Sequence, residues 1–244
     1  MVSIDTVYQK VLAFANKEQR GYITPQEFNL FADQAQMEIF EQYFYDINQF
    51  RRVPGNNHMY SDVLSNLQEK IDLFNKDLSN AEISSNHGDI KLNTTTPDLY
   101  RLGRVKVTYA GHEEAMAEYI DWKENILYGK SPLAKWSKNR PVYNKWTNQA
   151  GDDLLKIRPY PEDGVDIVRI FYTKKPTKPN WGYVVVNDKP LYNADTSTNF
   201  ELHPAEGPEL VYKILTFAGI AIEKPGLVQV AAGLEAGKIQ QEKQ

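Results

Sequence analysis

Residues 24–50 restrict this chain more than any other stretch. Thr24-Pro25-Gln26-Glu27 reads as a helix start. Thr24 can cap, Pro25 fits the first helical position, and Glu27 completes a capping box. Behind it, Phe28, Phe31, Ala35, Ile39, Tyr43, Ile47 and Phe50 recur every three or four residues, which is the period of one helical face. Arg51 and Arg52 suit the negative end of that helix. A stripe this long has to be buried against other elements. Two candidates flank it. Ile4, Val7, Val11, Leu12 and Phe14 predict a helix ending near Asn16. Tyr60, Val63, Leu67, Ile71, Phe74 and Leu78 predict another from about Met59 to Leu78. Breaks fall at Arg20-Gly21-Tyr22 and Pro54-Gly55-Asn56-Asn57.

Ser79 to Pro97 is polar and rich in Ser, Asn and Thr, and reads as a loop or an edge. From Asp98 the pattern shortens. Leu102, Val105, Val107 and Tyr109 suggest a strand, and Tyr119 to Trp122 a strand end running into a short helix with Ile126 and Leu127. Pro141-Val142-Tyr143, Leu154 to Arg158 and Val165 to Tyr172 are further strands, with an Asp163-Gly164 turn signal between the last two. Lys174 to Trp181 is extended and stiffened by proline. Tyr183 to Val186, Asn187-Asp188 and Pro190 to Tyr192 form one more hairpin. Helix returns with Pro208, Leu210, Val211, Ile214, Leu215 and Ala218, ending at Gly219, and again from Pro225. The order of helices, strands and helices means α+β rather than alternating α/β. The expected architecture is an N-terminal helical bundle, a central antiparallel β-sheet or small barrel, and C-terminal helices packing back on the bundle. The matching division is residues 1–97, a β-rich domain at 98–205, and C-terminal helices and tail at 206–244.

The chemistry-bearing patterns are thin. The absence of cysteine excludes disulfides and thiolate sites. A formal net charge of −4 gives no global attraction to nucleic acid or anionic membranes. No segment approaches the roughly 18–20 apolar residues of a membrane span, and the polar start with Asp5 is no signal peptide. Residues 16–27 imitate a calcium-binding loop, with Gly21 and Glu27 in place, but Arg20 stands where an oxygen ligand is needed. His112-Glu113-Glu114-Ala115-Met116 begins like a zinc-protease helix and lacks its second histidine. There is no Walker loop, GxGxxG or GxSxG. Adjacent carboxylates such as Asp152-Asp153 point apart. No catalytic residue, cofactor or metal is expected. Lys130, Lys135, Lys138, Arg140 and Lys145, with Trp136 and Trp146 and no acidic residue from Ser131 to Thr147, form a basic aromatic stretch. It reads as an exposed loop with tryptophans packed beneath, or as a nucleic-acid-binding module.

Four segments together resemble the head-to-tail connector proteins of tailed bacteriophages, the adaptor or ring subunits under the portal of short-tailed and crAss-like phages. They are Asn16 to Asn29 followed by Ala32, Ala35-Gln36 and Ile39-Phe40-Glu41; Pro141-Val142-Tyr143 ahead of Ile157 to Pro161; Val168 to Tyr172 running into Lys175-Pro176 and Pro179-Asn180-Trp181; and Glu209 to Leu215 with Ala218-Gly219-Ile220, Pro225, Ala231-Ala232 and Ile239-Gln240. The resemblance implies a structural, non-enzymatic virion protein, made and assembled in the host cytoplasm. It implies a closed ring, usually of twelve copies, that docks on the portal protein, meets adjacent ring or tail proteins and lets double-stranded DNA pass without specific binding. No membrane is involved. A stopper or tail-tube subunit is the alternative within the virion. The C-terminal residues Pro225, Leu227, Val230, Leu234 and Ile239 are the expected assembly interface.

Overall fold

The structure is a computed structural model that describes residues 1–17, 23–52, 58–79, 81, 89–221, 229, 231–234 and 236–237. Its elements are helices Ile4–Lys17 (α1), Pro25–Arg52 (α2) and His58–Asp72 (α3); strands Asn75–Leu78 (β1) and Asp89–Lys91 (β2); a helical turn, Leu92–Thr95 (α4); strands Leu99–Thr108 (β3) and Ala115–Tyr119 (β4); helix Trp122–Lys130 (α5); strands Val142–Thr147 (β5), Asp153–Arg158 (β6), Ile167–Lys174 (β7), Tyr183–Val186 (β8) and Lys189–Tyr192 (β9); and helix Gly207–Ala221 (α6). The fold is α+β, as the order of patterns implies.

Two compact units divide the chain. Met1–Leu73 joins Pro176–Gln244 in one, and Phe74–Lys175 forms the other. The helical unit therefore recovers the chain after the sheet is complete, and residues 176–205 belong with helices rather than with strands. In this unit α2 packs against both α3 and α6, and α1 against α6. Phe28, Ala35, Ile39 and Tyr43 of the α2 stripe, with Ala32 and Phe40 beside them, are buried with Val7, Val11, Leu210 and Ile214, while Phe31, Ile47 and Phe50 of the stripe are half-buried. The capping box forms as expected. Thr24 N–H donates to Glu27 Oε2 at 2.9 Å, and Glu27 N–H to Thr24 Oγ1 at 3.3 Å. Gly219 lies inside α6 instead of ending it.

The sheet unit contains one seven-stranded sheet in the order β1-β7-β3-β4-β5-β6-β2. All its pairings are antiparallel except β4 with β5, where Glu118 lies beside Val142 and Tyr119 beside Tyr143. The sheet curls as a half-barrel with β1 and β2 as its edges. Ile90, Val105, Val107, Tyr109, Leu155, Ile157, Val168 and Ile170 form its core. Tyr109 is buried among them and donates to the Pro159 carbonyl at 2.6 Å. The Arg158–Pro159 peptide is cis.

The end of the third helix also differs from the sequence reading. The third helix ends at Asp72, and residues 75–78 pair with β7 in the register Asn75↔Thr173 to Leu78↔Ile170. Phe74 and Leu78 satisfy a helical period and a strand period equally. Backbone pairing to a strand a hundred residues away decides between them, and local pattern carries no record of it. Within the polar segment, read as a loop or an edge, residues 89–91 form an edge strand that pairs with β6.

Candidate functional site: two unpartnered apolar surfaces

In the helical unit, residues 181–193 build a hairpin with a fixed base and a bare arm. Trp181 is its root. It is buried, 4.3 Å from the Tyr8 ring, and its indole N–H donates to Asp5 Oδ1 at 3.0 Å. Asn29 holds the same residue through its backbone, accepting from Trp181 N–H at 2.7 Å. Tyr183 and Tyr192, the outer residues of β8 and β9, flank the indole at 5.9 and 5.8 Å. Between root and arm only glycine fits, because a Cβ on Gly182 would lie 2.1 Å from Thr196 Oγ1. The turn at Asn187-Asp188 has φ of 49° and 59°, the left-handed pair that matches the twist of a two-residue hairpin.

Beyond the tyrosines the arm is apolar and uncovered. Val184, Val185, Val186 and Leu191 are each 46–60% exposed. Successive side chains of a strand point to opposite faces. Val184 and its cross-strand partner Leu191 share one face, and Val185 with Pro190 the other. Both faces are therefore wet. A two-stranded sheet wet on both faces gains almost nothing by burial in the free chain. The signal was present in the sequence as three consecutive valines where a half-buried strand would alternate.

In the sheet unit, a second apolar surface centres on α5. The helix begins at an Asp121–Glu124 capping box. Trp122 and Ile126 stand one turn apart on its outer face, each nearly half exposed. The Trp136 ring lies over Gly129, where a Cβ would sit 2.7 Å from it. The Arg158 guanidinium stacks 3.6 Å above the Tyr160 ring. These side chains and Pro159 line an open groove of about 610 Å³. Its charged lining is Lys130, Lys135 and Arg158, with no carboxylate. Burial lowers the pKa of Arg158 and Asp89 opposes that shift, yet a guanidinium keeps its charge. Two buried polar atoms of this lining, Asn125 Oδ1 and Arg158 Nη1, have no hydrogen-bond partner among the described residues. Beside the groove, Trp122 meets Trp146 at 4.8 Å. Leu127 and Leu133 project into solvent, the latter 98% exposed.

The basic aromatic stretch thus divides. Arg140 pairs with Glu118 at 3.1 Å and Lys138 lies over the Tyr109 ring, while Lys130 and Lys135 face the groove. Trp136 packs down as expected, but Trp146 remains 40% exposed. A third feature, in the helical unit, is a cavity of about 330 Å³ between α2, α3 and the turn before α6. Asp46, Glu69, Glu206 and Glu209 line it with Lys70 and His203. Lys70 pairs with the buried Glu206 and sits over the Tyr43 ring, so its polar centre ties α3 to the approach of α6.

Of the expected interface, Pro225, Leu227, Val230 and Ile239 lie outside the described residues, and so do residues 18–22 of the calcium-like loop. Leu234 is helical and exposed, three residues after the buried Ala231. His112 faces Asn139 at 3.1 Å. Among the described residues, no group of three or more His, Asp or Glu side chains could hold a metal ion. No described helix is long and apolar enough to cross a membrane. Neither the family models nor the curated proteins searched contain a match to this chain.

Proposed function

We propose that this chain is a non-enzymatic assembly subunit of a phage virion, forming a ring at the head–tail connector beneath the portal. The observation that carries the reading is the concentration of large apolar side chains at two separate places on one chain. Isolated exposed leucines and valines are ordinary on a protein surface, whereas contiguous ones mark contact surfaces. Here they gather on an arm, β8–β9, and on the face around α5. Two different patches are what a head-to-tail contact needs, and a head-to-tail contact whose rotation closes makes a ring. The tryptophans and tyrosines of the second patch suit it to anchor a partner. The position beneath the portal comes from the resemblance of the four sequence segments.

The test is direct. The purified chain, mixed with the portal ring encoded in the same genome, is imaged by negative-stain electron microscopy. An added ring of density on the portal is the expected result. Bare portals at saturating subunit would end the connector reading. The groove's three cations without a carboxylate favour a second reading, binding of single-stranded nucleic acid, whose mark would be affinity that falls steeply with salt.

A further inference from the structure

We propose that the groove between α5 and Tyr160 holds single-stranded nucleic acid, one unpaired base stacking among Trp122, Trp136 and Tyr160 with its phosphates on Lys130, Lys135 and Arg158. The site lies wholly within the sheet unit. It rests on the single-strand reading of the groove and is independent of the ring.

An occupant has to answer three features of the lining together. The first is aromatic surface. Trp122 and Tyr160 are each nearly half exposed. The Arg158 guanidinium already lies 3.6 Å from the Tyr160 ring, the start of a stack that a base extends. The second is charge. Among the described residues no carboxylate lines the groove, and neither Lys130 nor Lys135 is in an ion pair. The third is unused hydrogen bonding. Asn125 is only 8% exposed, and its Oδ1 has no partner among the described residues, nor has Arg158 Nη1. Buried polar atoms left unpaired are costly. One acceptor and one donor in the same lining are what a base edge answers, because each base carries both kinds of group. A nucleotide is planar, anionic and polar at its edge. An acidic peptide meets the charge but brings no flat polar edge to lie among three rings.

The surroundings favour a strand over a free nucleotide. Trp146 packs on Trp122 at 4.8 Å and is 40% exposed. Lys156 lies over its ring at 5.5 Å, and Lys145 lines the adjoining hollow with it. Ring and cation therefore recur beyond the groove, as base and phosphate recur along a strand. Three of the chain's four tryptophans fall between residues 122 and 146. Residues 74–175 hold 16 Lys and Arg against 14 Asp and Glu, whereas the whole chain holds 28 against 32. The positive excess thus sits on the unit that carries the groove. A duplex keeps its bases stacked on one another and offers none to these rings. Leu127 and Leu133 lie outside the lining and stay available for a protein contact.

The test is fluorescence anisotropy of a labelled, mixed-sequence single-stranded DNA of about twelve nucleotides, titrated with the full chain. Binding that quenches tryptophan emission is the expected result. Three neutralised phosphates predict affinity about twentyfold weaker at about 200 mM than at about 50 mM salt. Trp122→Ala should weaken binding about tenfold, and Lys135→Gln should flatten the salt dependence. Both side chains are exposed, so circular dichroism and melting should match wild type. Leu133→Ser, outside the groove, should bind as wild type does.

No binding at low salt overturns the site. So does binding that Trp122→Ala and Lys135→Gln leave unchanged, or a duplex of the same sequence that binds equally well. Competition by adenosine monophosphate at the same concentration of nucleotide would give the groove to a free nucleotide instead. A ring on the portal without strand binding removes this site alone, and strand binding by a chain that never forms a ring removes only the ring.

Discussion

Gln36 shows what single residues do in the helical unit. It is fully buried on α2, and both ends of its amide are used. Nε2 donates to the Thr177 carbonyl at 2.8 Å, and Oε1 accepts from Glu201 N–H at 3.1 Å. It thereby pins the start and end of the segment that carries the hairpin. Gln36→Leu keeps the apolar volume but strands a carbonyl and an N–H. The expected loss is about 2 kcal/mol, read as a lower denaturant midpoint; an unchanged midpoint would contradict the pinning role. Asn29 acts alike, joining Asn180 and Trp181 to α2. In sequence, Gln36 and Asn29 are visible as polar residues beside an apolar stripe, and Pro179-Asn180-Trp181 as a stiff segment. That they meet is not legible, because a residue's type does not encode a partner about 150 positions away. Glu27 is the opposite case, since its partner lies three residues back. The Thr24 backbone N–H, and then its hydroxyl, hold the Glu27 carboxyl below its ordinary value of 4.5. A depressed carboxylate stabilises above its unfolded pKa, and that stability is lost as pH falls through the folded pKa. Glu27→Gln should therefore lower stability at neutral pH and have no effect at strongly acid pH. A difference that persists undiminished in acid would rule out the carboxylate as the cause.

Elements were legible where one signal was enough. The capping box started α2 where Thr24 and Pro25 put it, and Asn187-Asp188 turned the β8–β9 hairpin. Asp121 and Glu124 begin α5 by the same device, after a strand end expected at Tyr119. They failed where two periods fit the same residues, as at Phe74 and Leu78. The parallel pairing of β4 with β5 was likewise invisible, since α5 and the loop after it form the crossover and leave only two pairs in register. Gly129 shows why α5 presents a groove rather than a plain ridge. Its bare Cα admits the Trp136 ring. Gly129→Val should drive that ring outward and shift tryptophan emission to the red, and emission identical to wild type would mean the ring is held by something else.

At the scale of the whole molecule, the fold class followed from the order of patterns, but the grouping into units did not. The chain leaves its helices at Phe74, completes a sheet, and returns at Pro176. Reading in sequence order places residues 176–205 with the strands they follow. The side chains of Gln36, Asn29 and Tyr8 hold them to α2 and α1 instead. The expected C-terminal interface was read from one apolar stripe, most of which lies outside the described residues; among the described residues, the apolar surfaces on the arm and on α5 become visible as exposed only after folding. On the proposed reading, these surfaces are made for other chains. The measurement that tests it most directly is the mass of the purified protein in solution, by native mass spectrometry, alone and then with the portal ring. A closed ring of copies, or a monomer that becomes one on the portal, is the predicted result. A monomer that keeps its mass at high concentration and ignores the portal would contradict the claim.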